Sequence, residues 1–163
     1  MSSDHVRVHD EAGVRTITLS RPEAKNAMTQ AAKARFCELV SGFERDPSLR
    51  VAIVTGVDPA FCSGVDFKEF ADAANPAPAW NAFDAQFSTN PGRVLRALTK
   101  PAIAAVNGPC VSGGLEIALS CSFVVASERA SFRDTHARLG AVATWGLTAL
   151  LPRAVGKWVQ DSK

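Results

Sequence analysis

Val51-Ala52-Ile53-Val54-Thr55 runs directly into Gly56-Val57-Asp58-Pro59-Ala60-Phe61-Cys62-Ser63-Gly64. The first stretch is nearly all apolar and rich in β-branched residues, as expected of a strand covered on both faces. The second is an irregular loop bounded by glycine. The same pairing recurs downstream. Pro101-Ala102-Ile103-Ala104-Ala105-Val106 reads as a buried strand, and Asn107-Gly108-Pro109 turns the chain after it. Phe123-Val124-Val125-Ala126 is a further strand. Helical patterns separate these runs, so strand and helix alternate and the layout is α/β.

Upstream of the opening strand, Thr29 is the expected N-cap of a helix whose apolar face is Ala32, Phe36, Leu39, Val40 and Phe43, closed by Asp46-Pro47. Before it, Ser20-Arg21-Pro22-Glu23-Ala24-Lys25-Asn26 reads as a loop. His5-Val6-Arg7-Val8-His9 and Val14-Arg15-Thr16-Ile17-Thr18-Leu19 alternate as two strands, joined at Glu11-Ala12-Gly13 as a hairpin. His5 and His9 would share one face, where solvated side chains are the ordinary outcome. Downstream, a helical stretch spans Phe67 to Ala73, and Asn75-Pro76-Ala77-Pro78 reads as a mobile surface loop. A longer helix with Phe83, Phe87, Val94 and Leu98 as apolar points is bent or split at Asn90-Pro91-Gly92. Gly113-Gly114 opens a helix through Leu119.

The chain has 163 residues, 47% of them hydrophobic and 21% charged, enough to build one domain with a real core. Eighteen basic residues against sixteen acidic ones give a charge of +2, which offers no broad basic face for nucleic acid. The apolar runs are too interrupted for a membrane span. The start, Met1-Ser2-Ser3-Asp4-His5, lacks the pattern of a signal peptide. Four scattered cysteines without a CxxC pair favour reduced thiols in a cytoplasmic protein over a zinc site or disulfide framework.

Chemistry is suggested at three places. The small residues of Ala60-Phe61-Cys62-Ser63-Gly64-Val65-Asp66 would let backbone approach a ligand, with the Val65 amide pointing outward if a helix starts near Asp66; the spacing by itself is more ordinarily that of a strand-to-helix turn. In Val111-Ser112-Gly113-Gly114-Leu115-Glu116, the paired glycines before a helix would expose amide donors, or merely allow a tight helix–strand contact. Glu116 stands in a very apolar helix. Burial would raise its pKa and the helix N-terminus would lower it, which would poise it for proton exchange; the alternative is an exposed position on an amphipathic turn. Two amides holding an oxyanion beside one carboxylate is the chemistry of an enolate.

Four segments, in order, carry a family resemblance: Leu19-Ser20-Arg21-Pro22-Glu23-Ala24-Lys25-Asn26-Ala27-Met28; Ala60 to Lys68; Lys100-Pro101-Ala102-Ile103-Ala104-Ala105-Val106-Asn107-Gly108; and Gly113-Gly114-Leu115-Glu116. From about Val6 to Gly156 the chain resembles the crotonase superfamily, the enoyl-CoA hydratase/isomerase proteins. The resemblance implies a right-handed spiral of ββα units over residues 1–156, followed by a short polar tail at 157–163. It implies an acyl-CoA thioester substrate, an oxyanion hole from the Val65 and Gly113 amides, a thioester and pantetheine site along Val65-Asp66-Phe67-Lys68, and a CoA nucleotide site near Ala24 and Lys25. Arg21, Lys25 and Lys68 are available to the phosphates, or to surface salt bridges.

Glu116 matches the first of the two glutamates that act on water in hydratases of this family, and His136 stands where the second is expected. The imidazole is then either a second catalytic group or a pocket-lining residue. Family members usually continue beyond Leu151-Pro152-Arg153-Ala154-Val155-Gly156, with helices that cover the acyl pocket and build a trimer; those trimerisation helices are expected to be missing, leaving Trp158 and Val159 and other apolar surface uncovered. The activity implied is hydration of a 2-enoyl-CoA in a homo-oligomer, with no metal or redox cofactor and CoA only as part of the substrate. The alternatives are an enoyl-CoA isomerase, and a non-catalytic acyl-CoA binder or short subunit of a hetero-oligomer.

Overall fold

The structure, a computed structural model, describes residues 5–71 and 89–156. The expectations for Ala73, Asn75–Pro78, Phe83, Phe87, Trp158, Val159 and the polar tail fall outside those residues. The elements run β1 (Val6–Glu11), β2 (Val14–Leu19), α1 (Gln30–Arg45), β3 (Val51–Gly56), α2 (Phe67–Ala71), α3 (Pro91–Arg96), β4 (Ala102–Val106), β5 (Pro109–Val111), α4 (Gly113–Ser120), β6 (Phe123–Ala126), β7 (Ser131–Arg133) and α5 (Leu147–Val155). Short 3-10 turns lie at Pro22–Ala24 and Ala137–Leu139.

Five strands form one sheet in the order β1-β2-β3-β4-β6, and β5 pairs with β7 in a second. Among the described residues only the β1–β2 hairpin is antiparallel; β2–β3, β3–β4, β4–β6 and β5–β7 are parallel. Isolated parallel bridges join Met28 to Val65 and Cys62 to Cys110. Each turn of the chain therefore lays a long strand in the first sheet and a short extended piece beside the second, which is how a ββα spiral grows. The pieces after β2, β3, β4 and β6 are Met28, Cys62 to Val65, β5 and β7.

The helices close the core. Thr29 caps α1, its side chain accepting from the Ala32 N–H, and Asp46 ends it. The predicted face of α1 is buried, with Lys33 and Cys37 added to it. Lys33 is only 1% exposed, and its Nζ lies 5.9 Å from the Trp145 ring centroid. Ile17, Phe36, Phe43, Val54, Phe61, Ala104 and Ile117 form the centre.

Several local expectations are corrected. Strands β3 and β4 alternate buried and half-buried positions, so one face is sealed more completely than the other. β6 is exposed along its whole length, as is β7. At Asn90-Pro91-Gly92 a helix starts: Asn90 accepts from the Arg93 N–H and Pro91 occupies the first turn, where its missing N–H costs nothing, while the stretch before Thr89 expected to be bent or split there lies outside the described residues. The hairpin turn is confined to Ala12-Gly13, because Glu11 still pairs with Val14. No helix among the described residues is long and apolar enough to cross a membrane.

Candidate active site

The site begins at a loop fixed by one side chain. Asn26 is buried, with φ +57°. Its Oδ1 accepts from the Arg21 N–H at 2.8 Å, while its Nδ2 donates to the carbonyls of Val57 and Ala60 at 2.8 and 2.7 Å. This pins the Arg21–Asn26 loop against the one after β3. The Ser63 N–H donates to the Lys25 carbonyl at 3.0 Å, and Ser63 Oγ donates to the Ala24 carbonyl at 3.2 Å. Ala24 is half-buried; Lys25, Phe67 and Lys68 are exposed beside these ties.

The bridge to Met28 sets the direction of the Val65 peptide. Met28 donates to the Gly64 carbonyl at 2.8 Å and accepts from the Asp66 N–H at 3.0 Å. In a parallel bridge the intervening residue turns its own N–H the other way. The outward amide of Val65 thus comes from strand pairing, since α2 begins only at Phe67. Gly64, at φ +93°, is in a region that side chains disfavour, and a Cβ built there would lie 3.1 Å from the Gly113 nitrogen. The Val65 peptide is therefore next to the start of α4. Among the described residues neither the Val65 nor the Gly113 N–H meets a protein acceptor.

Asp66 points inward. It forms an ion pair with Arg21 and accepts from the Lys68 N–H at 3.0 Å. Burial raises the Asp66 pKa, but the Arg21 hydrogen bond and the Lys68 N–H outweigh it and hold the carboxyl below its ordinary value. Arg21 also lies 3.5 Å from Glu23, so its guanidinium is engaged within the chain and the salt-bridge reading describes it.

Helix α4 carries Glu116, which is 1% exposed, so the exposed-position alternative does not hold. Its Oε1 accepts from the N–H groups of Trp145 and Leu147 at 2.7 and 3.0 Å. Its Oε2 lies 3.7 Å from His136 Nε2. On the other side of the ring, His136 Nδ1 lies 2.6 Å from Asp134 Oδ1, which also accepts from the His136 N–H at 3.0 Å. The imidazole thus stands between two carboxylates, its side chain 13% exposed. The structure brings Val65, Gly113, Glu116 and His136 into one region.

An open cavity of about 610 Å³ adjoins this group, lined by Asp134, His136, Ala137, Ala141, Val142, Ala143, Leu147, Thr148 and Leu151. Its wall is mostly apolar, and His136 and Leu147 connect it to Glu116. Among the described residues no cluster of His, Cys, Asp or Glu is placed to hold a metal.

A sequence profile described as enoyl-CoA hydratase/isomerase matches residues 9–160. The chain belongs to the enoyl-CoA hydratase/isomerase family. It is 36% identical over 157 residues to a probable peroxisomal enoyl-CoA hydratase 1 of Arabidopsis thaliana, covering 96% of this chain and 57% of that protein. It is 36% identical over 150 residues to the 1,2-epoxyphenylacetyl-CoA isomerase of Escherichia coli K12, covering 91% of this chain and 57% of that one. Among solved structures, an enoyl-CoA hydratase from Mycobacterium avium shares 42% identity with a TM-score of 0.78, over 95% of this chain and 61% of that one. A putative enoyl-CoA hydratase/isomerase from Mycobacterium abscessus superposes with a TM-score of 0.87 at 31% identity, over 94% and 60%. The chain spans somewhat more than half the length of these family members.

Two residues of the site were not assigned a role from the sequence: Asn26 and Trp145. Asn26 carried a usable signal, since asparagine tolerates the left-handed conformation of a tight loop. Trp145 reaches Glu116 only through tertiary packing, which no local pattern encodes.

Proposed function

We propose that this chain adds water to a 2-enoyl-CoA by way of a thioester enolate. The observation that carries the reading is the 3.7 Å approach of His136 Nε2 to Glu116 Oε2 at the edge of the cavity, with Asp134 behind the ring. Hydration needs two proton-handling groups, one for the water and one for carbon, and this pair supplies them.

The Val65 and Gly113 N–H groups hold the thioester oxygen and take up the charge that develops on it. The N-terminal end of α4 adds its partial positive charge there. Glu116 removes a proton from water as the water oxygen bonds to C3. His136, braced by Asp134, delivers a proton to C2 of the enolate. Water is then divided across the double bond, Glu116 holds a proton that His136 has lost, and the two groups restore themselves by exchange through solvent. The acyl group takes the apolar cavity. Ala24, Lys25, Phe67 and Lys68 offer backbone and exposed side chains to the CoA moiety, with CoA as part of the substrate and no metal or redox cofactor in any step. Asp66 serves this surface through its ion pair with Arg21. The uncovered strands β6 and β7 support assembly into a homo-oligomer. Four free thiols support a reducing, cytoplasmic setting.

The experiment is crotonyl-CoA injected into the purified chain, read as heat and as loss of the conjugated thioester absorbance. Sustained turnover that Glu116→Gln abolishes, with CoA binding retained, is the expected result. Turnover that survives Glu116→Gln would remove Glu116 from the chemistry. Binding without turnover would make the chain an acyl-CoA binder, and migration of the double bond without added water would make it an isomerase.

A further inference from the structure

Trp145 is gripped from several sides. Its N–H donates to Glu116 Oε1. Its indole lies against the start of α4, where a Cβ added at Gly113 would be 2.9 Å from Cζ3. Its carbonyl oxygen accepts from Arg96 Nη1 at 2.6 Å. The same Nη1 donates to Ser120 Oγ at 2.8 Å, one helical turn beyond Glu116 on α4. Arg96 therefore ties the Trp145 segment to the helix that carries the carboxylate. The close approach of α3 depends on Gly92, since a Cβ there would lie 2.1 Å from the Trp145 oxygen.

The peptide that Arg96 holds is the planar unit between Trp145 and Gly146. It lies between the two N–H groups, of Trp145 and Leu147, that grip Glu116 Oε1. Gly146 has φ +121° and would otherwise let this unit turn. Fixing its oxygen sets the direction of the donors on either side.

We infer that Arg96 is a positioning residue, which orients Glu116 through the Trp145–Gly146 peptide so that Oε2 faces His136. The inference rests on the reading of Glu116 as the group that handles water. It assigns a kinetic role to a residue that touches neither the cavity nor the substrate surface.

The test uses Arg96→Ala and Arg96→Lys in the full chain, with Arg93→Ala on the same helix as control. For Arg96→Ala, kcat on crotonyl-CoA should fall roughly a hundredfold, the scale of a misplacement of about 1 Å. KM should stay within about twofold, and millimolar methylguanidinium should restore part of kcat. Arg96→Lys, which keeps the charge but not the planar fork, should lose about tenfold. Arg93→Ala should behave as the parent. An unchanged kcat, a loss confined to KM, or a folded Arg96→Ala without rescue would overturn the inference. Should Arg96→Ala fail to fold, wild-type kcat in Arg96→Lys would overturn it. If the parent chain turns nothing over, the functional reading fails by itself, and hydrogen exchange decides about the clamp. The Trp145 and Leu147 amides should then exchange at least about tenfold faster in Arg96→Ala, and equal exchange would overturn the clamp.

Discussion

Ser112 Oγ lies 2.7 Å from Thr135 Oγ1 and accepts from the Thr135 N–H at 2.9 Å. Ser112 occupies the N-cap position of α4, yet its side chain caps nothing. A serine there ordinarily accepts from the helix's own leading N–H groups. Here the hydroxyl is turned to the segment that carries His136, and the Gly113 N–H meets no protein acceptor among the described residues. One serine thus both opens the helix end and ties it to the imidazole.

Thr135→Val keeps the shape of the side chain and removes one half of that hydroxyl pair. Stability should fall by about 1 kcal/mol, the usual worth of one such bond, read from the urea midpoint. Hydration should slow by roughly tenfold as His136 loosens against α4. Full activity in the valine variant would show that the hydroxyl pair is not what aligns His136 with Gly113. Ser112→Ala is the companion variant, because alanine keeps the Cβ that Ser112 already carries at φ +47°, whereas glycine would relieve strain as well as remove the hydroxyl.

His136 and Asp134 should separate kinetically. If the imidazole delivers the proton to carbon, His136→Ala should lose at least about a hundredfold in kcat, the lower end for a general acid. Asp134→Asn retains a hydrogen-bonding side chain beside Nδ1 and removes only the charge, so its loss should be smaller, about tenfold. The order matters more than the sizes. A larger loss at Asp134 than at His136 would mean that the ring lines the pocket and the carboxylate acts independently.

The α/β alternation was legible because its strands are short apolar runs, each followed by a glycine-bearing loop, and because Thr29 and Asp46 mark the ends of α1 without ambiguity; the spiral itself was implied only by the family resemblance. Glu116 stood out as a charge inside an apolar helix. What the residues alone left open was decided across the fold. The Val65 amide is aimed by Met28, which is far from it in sequence, and not by the helix after it. Lys33 sits in the buried stripe of α1, where a lysine reads as polar, because Trp145 from the far end of the chain covers it. β6 looks like an interior strand by composition, yet Phe123 and Val125 are 52% and 56% exposed. Hydrophobicity reports that a residue prefers burial; it does not say which surface supplies the cover.

The Arg21–Asp66 pair gives a pH dependence with a definite sign. Burial disfavours the Asp66 charge, but the Arg21 hydrogen bond and the Lys68 N–H prevail, so the folded-state pKa lies below the unfolded value. The unfolded chain binds the proton more readily. The stabilisation is complete above the ordinary carboxylate range and is lost as pH falls through the lowered folded pKa. Asp66→Asn should therefore destabilise the chain at pH about 7, by about 2 kcal/mol for a hydrogen bond to a charged group. The difference between parent and variant should shrink on acidification below pH about 4. Urea midpoints across that range check it; a gap that widens in acid would refute the assignment.

Asn26→Ala should be the most damaging single change in the loop region. The side chain makes three bonds shorter than 3 Å: one accepted from the Arg21 N–H and two donated to the Val57 and Ala60 carbonyls. Alanine would take that partner from the partly buried Arg21 N–H and Val57 carbonyl, would leave the buried Ala60 carbonyl only a 3.4 Å bond from Asn107, and would itself have to adopt φ near +57°. Unsatisfied buried groups and a strained backbone each cost about 1–3 kcal/mol, so a combined loss of about 3 kcal/mol or more is expected. Asn26→Asp is the sharper probe. It preserves volume and the bond from Arg21, but it turns an acceptor with negative charge toward two carbonyl oxygens, so it should be no more stable than alanine. An aspartate variant of near-parent stability would mean that the two donated bonds contribute little, and that the Arg21 N–H and the Ser63 ties hold the loop that positions Ala24, Lys25 and the Val65 peptide.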